Sequence, residues 1–477
     1  MENEKSMRTV ILCQPKMGYY DKVARDLPAA LLSTASYIYN DYNVVIVDMR
    51  VPTWKQKFDA AMEKNPMCVG VTCWTGKQIE SALEVSKLTK DQDKSIPVIW
   101  GGIHPSTTQK QTLQNKYIDF ILEGEGELIF PNFLKSLEGK MDKSTINGLW
   151  YKEQNGEVKQ GINFEKRESL DMDKLEKIPY HLLKLSDYEG RASAHSGKGF
   201  LVETGRGCPR RCAYCYNTMF NQGSWRTVSA EKIIENIKDI VAWSNTKDLF
   251  FIDDNFFTHP KRTLRFVELL KKEKLDIKWG VECEIYMLNK MSDELLQQLY
   301  DVGLRSMSIG VESGSKRILK MLDKLLNLDQ VEVVNRRLAK FKINPQYNFM
   351  GGYVTETHEE LQQTLTLILR ILKDNPRAHI QGMGMVVPYP GTPYLEMARK
   401  AGLKEPERLE DWVNYNPDDW IWHNPLVDEK KRNLFKTLHI SSLFVDKKSF
   451  SYISGKTLYG ILIRIFFSKF IVIRFTH

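Results

Sequence analysis

Apolar residues in the first third of the chain come in short unbroken runs: Val10-Ile11-Leu12, Val44-Val45-Ile46-Val47, Cys68-Val69-Gly70-Val71, Val98-Ile99-Trp100 and Phe120-Ile121-Leu122. Mixed polar and apolar stretches long enough for helices separate them. Val/Ile runs without alternation suit strands buried on both faces. The pattern therefore predicts an α/β domain over residues 1–143, Rossmann-like, with a parallel five-stranded sheet covered by helices. Such sheets bind ligands beyond the carboxyl ends of their strands.

The rhythm breaks over residues 144–196. Gly148-Leu149-Trp150-Tyr151-Lys152 and Glu157-Val158-Lys159 flank Asn155-Gly156, a two-residue turn signal, so a hairpin followed by a polar linker is expected. Over residues 197–400 strand-like runs return, each followed by a helical stretch: Leu201-Val202-Glu203, Leu249-Phe250-Phe251-Ile252, Trp279-Gly280-Val281, Met307-Ser308-Ile309-Gly310-Val311, Asn348-Phe349-Met350 and Met383-Gly384-Met385-Val386-Val387. Six βα units predict a partial barrel, with function at the carboxyl ends of its strands. Residues 401–477 form a C-terminal extension ending in a basic, hydrophobic tail.

A chain of 477 residues has room for two or three domains. Seven cysteines are too few for a disulfide scaffold, and Cys13, Cys68, Cys73 and Cys283 sit singly in apolar runs, as buried free thiols do. The charged start Met1-Glu2-Asn3-Glu4-Lys5-Ser6 lacks a signal-peptide pattern, and no apolar stretch reaches membrane-spanning length. A cytoplasmic location is expected. The net charge is +8, but Val427–His477 holds ten Lys/Arg against three Asp/Glu, so the excess is almost all C-terminal. A nucleic-acid footprint across a folded domain is not expected. In the segment from Thr457 to Arg474, Arg464, Lys469 and Arg474 punctuate Phe and Ile. Packing against the barrel and peripheral contact with an anionic bilayer are both open readings of it, and the second hints at a lipid or isoprenoid substrate.

The densest chemistry lies in Gly205-Arg206-Gly207-Cys208-Pro209-Arg210-Arg211-Cys212-Ala213-Tyr214-Cys215-Tyr216. Three thiols at this spacing lie on one tight loop, and three thiolates hold only three irons of a four-iron cluster. A structural zinc would ask for a fourth Cys or His nearby, and no second CxxC and no HxxxH occurs. Arg206, Arg210 and Arg211 are expected to lower the thiol pKa values.

At these residues the chain resembles the radical S-adenosylmethionine (SAM) superfamily, whose signature is Cys-x-x-x-Cys-x-x-Cys with an aromatic, here Tyr214, before the last cysteine. The resemblance implies a 4Fe-4S cluster on Cys208, Cys212 and Cys215, with SAM bound at the open iron and cleaved reductively to a 5′-deoxyadenosyl radical. It implies SAM contacts at Tyr214, Asp254, Glu312, Ser313, Gly351 and Val387. It also implies an electron donor such as ferredoxin or flavodoxin.

The first domain then resembles the cobalamin-binding domain of one radical SAM subgroup, in which Gly-Gly-x-His-Pro and Gly-Glu-Gly-Glu recur; both stand here, at Gly101–Pro105 and Gly124–Glu127. The resemblance implies cobalamin contacts at Thr72, Trp74, Gly101, Gly102, His104, Glu123, Gly124 and Glu125. One departure is plain. The loop after the first strand, Gln14-Pro15-Lys16-Met17-Gly18-Tyr19, lacks the His that ligates cobalt from below in many such domains, so Trp74 is the candidate cover for that face.

The expected activity is methylation of an unactivated carbon of a lipid or secondary metabolite. A non-methylating oxidative or ring-forming enzyme, like the anaerobic magnesium-protoporphyrin cyclase group, is the sibling reading. A tRNA methylthiotransferase ranks lower: Cys13 and Cys73 sit at suggestive strand ends, but Gly101-Gly102 stands where a third ligand belongs. A non-enzymatic corrinoid carrier would not need the cysteine loop and barrel.

Overall fold

The computed structural model describes residues 7–18, 21, 25–153, 155–162, 169–188, 199–417 and 419–442. Its first sheet has seven strands in the order β2-β1-β3-β4-β5-β6-β7: β1 Thr9–Gln14, β2 Asn43–Asp48, β3 Cys68–Thr72, β4 Val98–Gly101, β5 Phe120–Leu122, β6 Leu149–Lys152 and β7 Val158–Gln160. The five expected strands pair in parallel. The hairpin, assigned above to the linker, instead extends this sheet: β6 runs antiparallel to β5, and β7 to β6. Its residues alternate, with Leu149 and Tyr151 buried, and Trp150 Nε1 donates to Glu123 Oε2 at 2.7 Å, so one face of the hairpin closes the core of the first domain.

The second sheet has six parallel strands in the order β15-β14-β13-β12-β11-β8, matching the six expected units: β8 Phe200–Val202, β11 Asp248–Phe251, β12 Lys278–Cys283, β13 Leu304–Glu312, β14 Asn344–Gly351 and β15 His379–Met385. Between β8 and β11 a two-stranded ribbon, β9 Gly205–Gly207 and β10 Trp225–Thr227, carries the chain into and out of the cysteine loop. Gly207 takes φ +83°, and a Cβ there would lie 2.0 Å from Ser224 O, so only glycine lets the ribbon close. Helices start where local chemistry supplies caps. Ser229 accepts from Lys232 N–H at the start of Ala230–Ser244, and Thr357 with Glu360 forms a capping box on His358–Asp374. Phe251, Phe256, Phe266 and Trp279 fill the space between β11, β12 and their helices with edge-to-face and stacked rings.

The extension spans both halves. Trp412 is fully buried and donates to Gln111 Oε1 at 2.7 Å, Gln111 Nε2 donates to Pro406 O, and the Asn115 amide donates to Glu410. Helix Glu429–Ser442 packs on β15, with Phe435 beside Gly351. The apolar basic tail lies outside the described residues. Among the described residues no helix is long and apolar enough to cross a membrane.

Candidate active site

Cys208, Cys212 and Cys215 line one cavity at the carboxyl ends of the barrel strands, with Arg210, Tyr214, Asn217, Asp254, Glu282, Glu284, Glu312 and Lys324. The loop that carries them is tied down at both ends. Gly207 N–H donates to Asp254 Oδ2 at 3.1 Å, and Ala213 N–H donates to Leu322 O at 2.8 Å. Among the described residues no three His, Cys, Asp or Glu side chains converge tightly enough for one metal ion. Three thiols of one loop sharing a cavity match the donor set of an open four-iron cluster.

The arginines do not do what their positions suggested. Arg210 is held by Glu284 through two hydrogen bonds of 2.8 and 2.7 Å, and Arg206 turns away to four acceptor side chains. With those charges neutralised, burial decides: it pushes the Cys208 thiol up to about 11 and Cys215 up to about 12. Cys212 is also raised by burial, with Lys324 opposing. The expectation that the arginines lower the thiol pKa values is therefore corrected: burial outweighs them.

Of the expected SAM contacts, the fold brings three to the cavity. Tyr214 OH donates to Glu312 Oε1 at 2.9 Å, and Lys324 Nζ donates to the same oxygen at 3.1 Å. Burial works against the Lys324 charge, but Glu312 outweighs it and the ammonium is held. Asp254 accepts from Gly207 N–H and from Tyr216 OH, and burial raises its pKa. Ser313, Gly351 and Val387 lie outside the cavity lining. Ser313 is fully buried against Thr364 and accepts from Ser315 N–H. Gly351 is filled against by Phe435, and Val387 is buried in the core. Lys324 was missed because it follows a short helix with no periodic or motif signal.

The residues expected at cobalamin diverge more. Trp74 stands half-exposed after β3, its ring centroid 6.2 Å from that of Tyr216, next to the last cysteine. Thr72 and Gly101 end β3 and β4 side by side. Gly102 has φ +98°, and its missing Cβ makes room for the Cys73 backbone. Gly124 N–H donates to Ser106 Oγ. His104 is fully buried: Nδ1 meets Thr75 Oγ1 at 3.0 Å, the ring faces Trp412, and burial pushes its pKa down to about 3. Its Nε2 has no partner among the described residues. The carboxylates have partners within the protein: Glu123 accepts from Trp150, and Glu125 is engaged by Arg206 and Arg226. Trp74, Thr72 and Gly101 form the strand-end shelf of the first domain, with Trp74 against Tyr216 of the cysteine loop.

The description "Radical SAM superfamily" matches residues 202–368, and "B12 binding domain" matches residues 20–134. This chain is a cobalamin-binding radical SAM enzyme. An uncharacterized methyltransferase of Pyrococcus horikoshii is 28% identical over 444 residues, covering 92% of each chain. The anaerobic magnesium-protoporphyrin IX monomethyl ester cyclase of Rubrivivax gelatinosus is 26% identical over 71% of this chain, which spans 61% of the cyclase's length. Among solved structures, the cobalamin-dependent radical SAM enzyme OxsB with aqua-cobalamin and SAM superposes at TM-score 0.70 and 18% identity, over 98% of this chain and 75% of that one. The radical SAM methyltransferase TsrM of Kitasatospora setae gives 0.66 at 17% identity, over 84% and 77%. These likenesses show the fold. The cofactors of this radical SAM enzyme are a 4Fe-4S cluster, SAM and cobalamin.

Proposed function

We propose that this enzyme transfers a methyl group to an unactivated carbon of a small molecule. The observation that carries the reading is the juxtaposition of Trp74, at the strand ends of the B12-binding domain, with Tyr216, next to the cluster cysteine Cys215. It supports a reading in which the two cofactors sit next to each other. When bound, cluster and SAM supply a hydrogen-abstracting radical, and cobalamin supplies the methyl group. The protein's residues bind and orient. Cys208, Cys212 and Cys215 hold the cluster, Glu312 with Tyr214 and Lys324 presents a fixed carboxylate and ammonium to SAM, and Asp254 faces the same cavity. Trp74 is the proposed apolar cover for the lower face of cobalamin.

A lipid or isoprenoid substrate and peripheral membrane contact are the finer readings, supported by the cationic apolar tail Thr457–Arg474. A ferredoxin or flavodoxin is the proposed source of the electron that SAM cleavage requires. Incubation of the anaerobically loaded enzyme with methyl-deuterated SAM, a reductant and a small-molecule extract tests the activity. Deuterium carried into a small molecule supports methyl transfer; 5′-deoxyadenosine with an oxidised but unlabelled product would overturn it in favour of the ring-forming alternative.

A further inference from the structure

The strand leading into the cysteine loop is bolted to the other domain by one guanidinium. Arg206 lies two residues before Cys208 on β9. Its Nη1 donates to Glu125 Oε1 at 2.8 Å, and its Nη2 donates to Glu127 Oε1 at 2.7 Å and to Ser33 Oγ at 3.2 Å. All three acceptors belong to the B12-binding domain. On its own side Glu203 accepts from Nε at 2.9 Å and from Nη2 at 2.8 Å. Arg226, directly opposite Arg206 in the ribbon, grips both oxygens of the same Glu125 at 2.8 and 3.0 Å. Leu170 closes the hub: its N–H donates to Glu125 and its carbonyl accepts from Arg226. The Arg206, Glu125 and Glu127 side chains are 14%, 8% and 5% exposed.

Ion pairs this buried are a poor way to gain stability, because desolvating the charges costs about what their attraction returns. What they give is geometry. A planar guanidinium engaging several carboxylates accepts one arrangement of them, and a small displacement leaves a buried charge unpaired. None of these side chains lines the cluster cavity. The hub therefore does not touch a reacting group. It connects the Gly-Glu-Gly-Glu loop, which follows the open strand ends of the first sheet, to the strand that delivers the first cluster cysteine.

We infer that Arg206 is a positioning residue, clamping Glu125 and Glu127 of the B12-binding domain so that the cluster loop and the cobalamin shelf are held at one fixed separation. The inference rests on the assignment of cobalamin to that shelf. A lysine keeps the charge but not the fork, and cannot satisfy three carboxylates at once.

The test uses the full-length holoenzyme loaded with cluster and cob(II)alamin, and measures the distance between the reduced cluster and cob(II)alamin by pulsed dipolar electron paramagnetic resonance. Loading is read first, from iron content and the cobalamin absorption band after desalting. Wild type should give one narrow distance distribution. Arg206→Lys should at least double its width while iron and cobalamin contents stay at wild-type levels. Glu127→Gln, which keeps the side chain's shape and its neighbour Ser33, is measured beside it so that a folding failure of the first variant leaves the test standing; it should broaden the distribution too. Wild-type width in loaded Arg206→Lys or Glu127→Gln overturns the clamp. A wild-type protein that loads the cluster but keeps no cobalamin overturns the cofactor assignment instead, and the clamp's role with it.

Discussion

Glu312 shows how much one residue is asked to do. It ends β13 in the left-handed region at φ +69°, where a non-glycine residue is strained, and its carboxylate is held by Tyr214 and Lys324. Strain of this kind persists where the surroundings over-determine it. Glu312→Gln keeps the shape and removes the charge, and should weaken SAM binding roughly tenfold, the loss of one charged hydrogen bond, read by equilibrium binding to the cluster-loaded enzyme. Glu356 gives a pH signature. Burial pushes its carboxyl up to about 7, one oxygen accepts from Gly352 N–H, and the other is buried without a partner among the described residues. Because the folded state holds this proton more tightly than the unfolded chain, stability is greatest below the ordinary carboxylate value near 4.5 and is lost as pH rises through about 7. Glu356→Gln should flatten the pH dependence of the denaturation midpoint across that window and stabilise the protein above it. At this scale the sequence was legible where chemistry is local. Cys208, Cys212 and Cys215 stand out by their spacing, and Tyr214 through the resemblance that spacing carries. Arg206 has one local partner, Glu203, but its other carboxylates, Glu125 and Glu127, and Arg210's partner Glu284 lie some 75 to 80 positions away, so a local window shows only part of how their charge is spent.

The elements follow their apolar runs closely, because a strand buried on both faces has little alternative. What the runs could not show is which sheet a hairpin joins. β6 and β7 were legible as a hairpin from Asn155-Gly156, but their pairing with β5 is a tertiary fact, set by Leu149 and Tyr151 facing the first core. Loops were half legible. Gly101 and Gly102 were expected as cobalamin contacts, and Gly102 is also needed for the protein's own packing: a Cβ would lie 2.9 Å from Cys73 O at φ +98°. Gly102→Ala should therefore cost about 1–3 kcal/mol, measured by chemical denaturation of the apo protein, before any effect on cobalamin is considered. Unchanged stability would mean that the β3 and β4 ends are not locked together as described.

At the scale of the whole molecule the two domains meet at Trp74 and Tyr216, and both the Arg206 hub and the extension tie them together. Trp412 is the extension's anchor: it is buried against His104 and Tyr415 and hydrogen-bonded to Gln111 of the first domain. Trp412→Ala should destabilise the protein by about 3–5 kcal/mol, seen as a lower denaturation midpoint. The six-strand count and the cysteine loop made the domain order legible, whereas the bridging role of residues 401–442 depends on contacts with residues some three hundred positions earlier. One chain should load a cluster, SAM and cobalamin together. Anaerobic reconstitution, incubation with SAM, a reductant and hydroxocobalamin, then desalting and spectroscopy tests it most directly. Stoichiometric retained cobalamin with formation of 5′-deoxyadenosine is the predicted result; an iron–sulfur spectrum with no retained cobalamin would contradict it.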